Sequence, residues 1–159
     1  MKTTDTFKVT TSGEREIVMT RDFEAAPDLV FDALTKPQLV QRWLLGPPGW
    51  SMPICEIDLK VGGAWRYIWR NDGEGHEFGM HGEYREIARP QRIVHTEIFE
   101  EGESLVTSAL TNKGGTTTLT MTMCFESREA RDGALESGMA DGVATSYDRL
   151  EEMLASGNS

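Results

Sequence analysis

Thr116-Thr117-Thr118-Leu119-Thr120-Met121-Thr122-Met123-Cys124-Phe125, "TTTLTMTMCF", is the stretch whose reading decides the fold class. Thr116, Thr118, Thr120 and Thr122 fall on one side of a period of two, and Leu119, Met121, Met123 and Phe125 on the other. Such alternation marks a strand with one wet face and one buried face, as in an antiparallel sheet open to solvent on one side. The same period runs back to residue 51. Segments 51–59, 64–71, 76–88, 92–100, 104–112 and 115–126 read as strands. Gly-Gly, Asn-Asp-Gly, Arg-Pro, Glu-Gly and Lys-Gly-Gly separate them. These are hairpin-length connections, so neighbouring strands run antiparallel.

Outward from this sheet, "EIVMTRDF" (residues 16–23) alternates Ile17, Met19, Phe23 and reads as a first strand, interrupted only by Arg21. Residues 1–13 are polar and Thr-rich, a lead-in or an edge strand, and the domain proper is expected over 14–156. Pro27-Asp28 suits a helix first turn, since proline there loses no hydrogen bond and an acid complements the helix dipole. Pro37 restarts a second short helix, with Leu39, Val40, Trp43 and Leu44 inward. "GPPGW" (46–50) is a loop, read as a connector rather than a gate. From Ser127 to Ala155 one long helix is expected. Met139, Val143, Tyr147, Leu150 and Leu154 recur in it at spacings of three and four. Gly133, Gly138 and Gly142 lie in its first half. Each costs a helix roughly 1 kcal/mol relative to alanine, so either close approach to the sheet or deliberate room beside it must explain them.

A chain of 159 residues fits one domain and buries roughly 70% of its unfolded surface without a staple. The net charge of −10 and the absence of a basic run argue against nucleic acid or an anionic membrane as partner. Cys55 and Cys124 have no CxxC spacing, and pairing between them stays open without geometry. "MKTTDTFKVTTSGERE" lacks the apolar core of a signal peptide, so the expected location is the cytoplasm. A sheet edge leaves a homodimer open, and nothing in the sequence specifies one.

The order is strand, two short helices, six strands, one long helix. A curved sheet with a single long helix across it holds either a dense core or a cavity under that helix, and small residues on the helix favour a cavity. "TRDFEAAPDLVFDALTKPQLVQRWL", "GPPG", "EIDLKVGGAWRY", "HGEYREIARPQRIVHTEIF", "GGTTTLTM" and "SGMADGVATSYDRLEEML" resemble the START-like superfamily. Within it they are similar to the group named for the activator of the heat-shock-protein-90 ATPase, which also gathers polyketide cyclase-like proteins. The resemblance spans residues 15–155. It implies an α+β helix-grip fold: a curved antiparallel sheet of six or seven strands around a long C-terminal helix, over a deep apolar cavity. It leaves function open among carriers, cyclase-like enzymes and co-chaperones, because a fold does not carry one chemistry. A co-chaperone of that type is expected to have an additional domain, which makes a chaperone the less favoured partner.

In "DLKVGGAWRYIWR" (58–70), Trp65, Tyr67 and Trp69 share a face while Arg66 and Arg70 take the opposite, solvated one. The three rings either fill the core or wall a cavity for a flat ligand. Gly62-Gly63 reads as a turn or bulge rather than a phosphate loop, since no helix follows. The expected ligand walls are Phe31, Trp65, Tyr67, Trp69, Met121, Met123, Met139, Val143 and Tyr147; the methionines as a group, Met19 and Met80 included, either adapt a cavity to its ligand or plug irregular gaps in the core. Catalytic candidates for cyclisation, dehydration or hydrolysis are His81, His95, Glu97 and Tyr67. Whether His95 and Glu97 point inward, or Val94, Thr96 and Ile98 do, the alternation leaves undecided. His76, His81 and His95, with Glu83, match no metal motif, so neither metal nor cofactor is expected. No nucleophile elbow or activated cysteine is readable, and a non-enzymatic binder of a small apolar molecule is the favoured function.

Overall fold

The computed structural model describes residues 6–100 and 102–156. Residues 1–5 of the expected lead-in and Glu101 of the Glu-Gly turn lie outside the described residues. The elements in chain order are β1 (Lys8–Ser12), β2 (Glu16–Phe23), α1 (Pro27–Thr35), α2 (Pro37–Trp43), β3 (Trp50–Ile57), β4 (Ala64–Asn71), β5 (Glu77–Ala88) and β6 (Arg92–Phe99). They continue with β7 (Gly102–Lys113), β8 (Thr116–Phe125), α3 (Arg128–Glu136) and α4 (Met139–Ala155). One 8-stranded curved sheet has the order β1-β2-β8-β7-β6-β5-β4-β3, and every neighbouring pair is antiparallel. The α1–α2 pair carries the chain from β2 to the far edge at β3. As the sequence predicts, Pro27 and Pro37 open these helices.

Two expectations are corrected. The sheet has an additional strand, because Lys8–Ser12 pairs with β2 and takes the edge-strand alternative for part of the lead-in. The single long helix is two. Gly138 adopts φ 84, a left-handed conformation that ends α3 and starts α4 in a new direction. Ser127 caps α3 by accepting from the Ala130 amide. Cys55 and Cys124 are free, half-buried thiols on β3 and β8, with four strands between theirs.

The filled part of the core joins β2, β8, α1 and the C-terminal half of α4 through Phe23, Phe31, Leu119 and Leu150, each 1% exposed or less. Arg21 sits on the same concave face. The residue that breaks the apolar alternation of β2 is 1% exposed and donates to Asp148 at 2.7 Å and Glu151 at 3.0 Å, both on α4. Near the β1–β2 turn, Arg131 of α3 donates to the carbonyls of Gly13 and Glu16.

Candidate functional site

The aromatic strand β4 is held from three directions. Trp65 pairs with Gly82 of β5. A Cβ at Gly82 would run into the Thr96 carbonyl and the Trp65 indole nitrogen, so only glycine lets the indole lie across β5. There it donates to the Thr96 carbonyl of β6 at 3.0 Å. The Trp69 indole donates to Leu44 O at 2.7 Å, and Trp43 of α2 to Ala33 O at 2.8 Å. Tyr67 lies between the two β4 indoles, with ring centroids 4.7 Å from Trp65 and 5.8 Å from Trp69. The preceding Gly62-Gly63 pair forms a tight turn, with Gly62 at φ 85 and Gly63 donating to Lys60 O. Arg66 and Arg70 are exposed and pair with Glu56 and Glu77.

These fixed rings wall a cavity of about 420 Å³ between the sheet and the first half of α4. Met139, Gly142, Val143, Ser146 and Tyr147 form its helix side, and residues 44–47 its rim. A Cβ on Gly142 would meet nothing within 4 Å, so this glycine makes room rather than permitting close approach. The rim is tied to the helix: the Gly46 amide donates to Ser146 Oγ at 2.9 Å, and Arg149 donates to the carbonyls of Trp43 and Gly46.

His95 and Glu97 line this space. The undecided parity of β6 is settled by a register shift in β5 between Tyr84 and Glu86, which sets Tyr84 opposite His95. Val94 and Thr96, on the other face, are nevertheless 7% and 5% exposed. Glu97 forms no hydrogen bond or ion pair among the described residues. The accessible surface it retains faces the cavity, and burial pushes its carboxyl up to about 7. Burial pushes the His95 imidazole down to about 4 and leaves its Nδ1 without a partner among the described residues, so the ring is neutral at physiological pH. Tyr67 is held well above the ordinary phenol range, first by burial, then by the nearby Tyr84, Cys55 and Glu97. No lysine or arginine is among the lining residues.

Of the expected walls, Trp65, Tyr67, Trp69, Met121, Met123, Met139, Val143 and Tyr147 line the cavity, as does Met80. Phe31 is a correction. It is 1% exposed in the filled core, with the Arg89 guanidinium 4.7 Å from its ring centroid, and it does not line the cavity. Met19 packs in a second core cluster with Ile17 and Val106. His81 is exposed on the outer face, so it has no access to the cavity and is corrected as a catalytic candidate; His76 is exposed beside Trp50. Among the described residues no three His, Cys, Asp or Glu side chains are placed to hold a metal ion. Sequence reasoning missed Phe78, Tyr84, Ile93, Ser108 and the rim residue Leu45 as lining. Phe78, Met80 and Tyr84 share the period of two on β5, and that signal was available.

A curved antiparallel sheet gripping a C-terminal helix defines the helix-grip, START-like class. The profile of the family described as activator of Hsp90 ATPase homolog 1-like protein matches residues 24–155, and the chain belongs to this family. A crystal structure of a protein from Rhodobacter sphaeroides is 32% identical, with 94% of this chain and 98% of that one covered and a TM-score of 0.88. A protein from Nitrosomonas europaea is similar in fold at 24% identity, with 92% and 97% covered and a TM-score of 0.81. An AHSA1-like protein from Aeromonas hydrophila, solved by NMR, shares the fold at 17% identity, with 89% and 95% covered and a TM-score of 0.70. Comparison with curated proteins gives no match. No helix among the described residues is long and apolar enough to cross a membrane.

Proposed function

We propose that the protein binds a small, ring-bearing apolar molecule in the cavity beneath α4. The observation that carries this reading is a void of about 420 Å³ lined chiefly by aromatic and aliphatic side chains. That volume falls within the roughly 300–1,000 Å³ of small-molecule sites. Enclosing about 300 Å² of apolar ligand surface contributes roughly 7 kcal/mol before the losses of association, which supports micromolar binding at best. Native mass spectrometry and tryptophan fluorescence with flavonoid, polyketide and fatty-acid ligands test it. Saturable binding is expected, abolished by Gly142→Phe, which places a ring in the open space at Gly142. A panel with no saturable ligand, or with binding unchanged by that variant, removes the reading.

A second reading, acid–base catalysis, is favoured by Glu97 alone. A carboxyl near 7 in an apolar site has the proton affinity that general acid–base work requires at neutral pH. His95 and Tyr67 stand beside it as neutral hydrogen-bonding groups. Conversion of a bound polyketide-type ligand, lost in Glu97→Gln with binding intact, is the outcome this reading demands.

A further inference from the structure

We propose that the cavity selects amphiphiles whose polar end is a protonated amine, paired with Glu97 and flanked by the rings of Trp65 and Tyr67. This rests on the ligand-binding reading above and names the class of ligand. Glu97 is the single acid among the lining residues, and no lysine or arginine faces it. Trp65 pairs with Gly82, and Gly82 falls between the positions paired with Ile98 and His95, so Trp65, Gly82 and Glu97 form one cross-strand row. The middle member of that row has no side chain, which leaves an indole and a carboxyl as neighbours over bare backbone. Tyr67 lies close enough for the Glu97 charge to act on its hydroxyl. The His95 ring stands edge-on to Trp65 at 5.3 Å and is neutral, so it repels no cation.

Each class of polar end meets this wall differently. A carboxylate ligand would set two like charges together with no basic side chain to separate them, which weakens its binding. A neutral alcohol exchanges one hydrogen bond with Glu97 and gains nothing from its charge. An ammonium supplies the counter-charge that Glu97 lacks and donates to its oxygens, while the faces of neighbouring aromatic rings attract it further. The predicted order is therefore amine, alcohol, acid.

Three probes with one naphthalene body separate these cases: 2-(2-naphthyl)ethylamine, 2-(2-naphthyl)ethanol and 2-naphthylacetate. Their affinities are measured by isothermal titration calorimetry at pH 8 with the full chain. The amine is expected to bind at least about tenfold tighter than the alcohol, and the acetate at least about tenfold weaker than the alcohol. Glu97→Gln should erase the amine's advantage and leave the alcohol within about threefold, which also reports that the variant is folded. Should that variant not fold, the wild type read at pH 6 and pH 8 serves instead. The amine's advantage should shrink at pH 6 as Glu97 takes up a proton. Of the groups facing it, His95 stays neutral throughout this range, and so do Tyr67 of β4, Tyr84 of β5 and Tyr147 of α4. An alcohol or acetate that binds as tightly as the amine overturns the proposal, as does an amine preference that survives loss of the Glu97 charge. Failure of all three probes while a flavonoid, polyketide or fatty acid still binds overturns this inference alone; failure of both sets overturns the ligand-binding reading as well.

Discussion

Leu150, Met153 and Leu154, in the second half of α4, are 0%, 6% and 9% exposed and close against β2, β8, α1 and α2. Met139, Gly142 and Val143, in the first half, face the same sheet and leave a hollow. The sheet opposite differs in the same sense. Toward β2 the concave face offers Phe23 and an arginine fixed to two acids of the helix. Toward β4 it offers rings whose indole N–H groups are spent on backbone carbonyls, so that they stand fixed as a wall. One helix therefore seals and shelters at once, and the size of the side chains along it decides where each happens.

The largest effect that would break this contrast lies at the sealed end. Arg21→Met removes the buried guanidinium that Asp148 and Glu151 share and should destabilise the protein by roughly 3 kcal/mol, toward the low end for broken buried pairs because Asp148 is half exposed. Urea unfolding measures it. If the two ends are independent, ligand affinity under native conditions should stay within about threefold of wild type.

At the hollow end, pH sharpens the comparison, because Glu97 and His95 pull in opposite directions. The raised carboxyl contributes stability that is present below about pH 4.5 and lost as pH rises through about 7. The depressed imidazole contributes stability that is present above about 6.5 and lost as pH falls toward about 4. Their sum is nearly flat. Glu97→Gln should therefore be more stable than wild type at pH 8, by up to roughly 3 kcal/mol, and equal to it at pH 4. His95→Gln should show the reverse, more stable at pH 4 and equal at pH 8. Urea midpoints across this range read both, and identical pH profiles for all three proteins would show that these side chains are solvated.

The smallest expected effect is at Gly142. With nothing near its missing Cβ, Gly142→Ala should stabilise the helix by about 0.5–1 kcal/mol, seen as a higher melting temperature with ligand binding retained. A loss of stability there would mean that the helix sits closer to the sheet than the open space implies.

Most of the fold was legible because period two dominates residues 51–126 and the two prolines punctuate the short helices. The break at Gly138 was not, since α3 and α4 keep one apolar spacing across it and a left-handed glycine has no periodic signature. Most of the wall residues followed from strand parity alone. Phe31 did not, because a helix stripe does not say which end of a sheet it meets. Nor did β6: Val94 and Ile98 on one side and Ile93 and Phe99 on the other give two apolar faces, and the β5 register shift that decides between them is a tertiary feature. Arg21 read as an interruption of its strand, because its two acids lie more than a hundred residues away.

The ties from Ser146 and Arg149 to residues 43–46 have a kinetic consequence. Rim and helix are tied together here, so a ligand held as proposed would be expected to leave more slowly than past an untied rim. Residence time, more than equilibrium occupancy, is then the quantity those hydrogen bonds govern, and Ser146→Ala should shorten it.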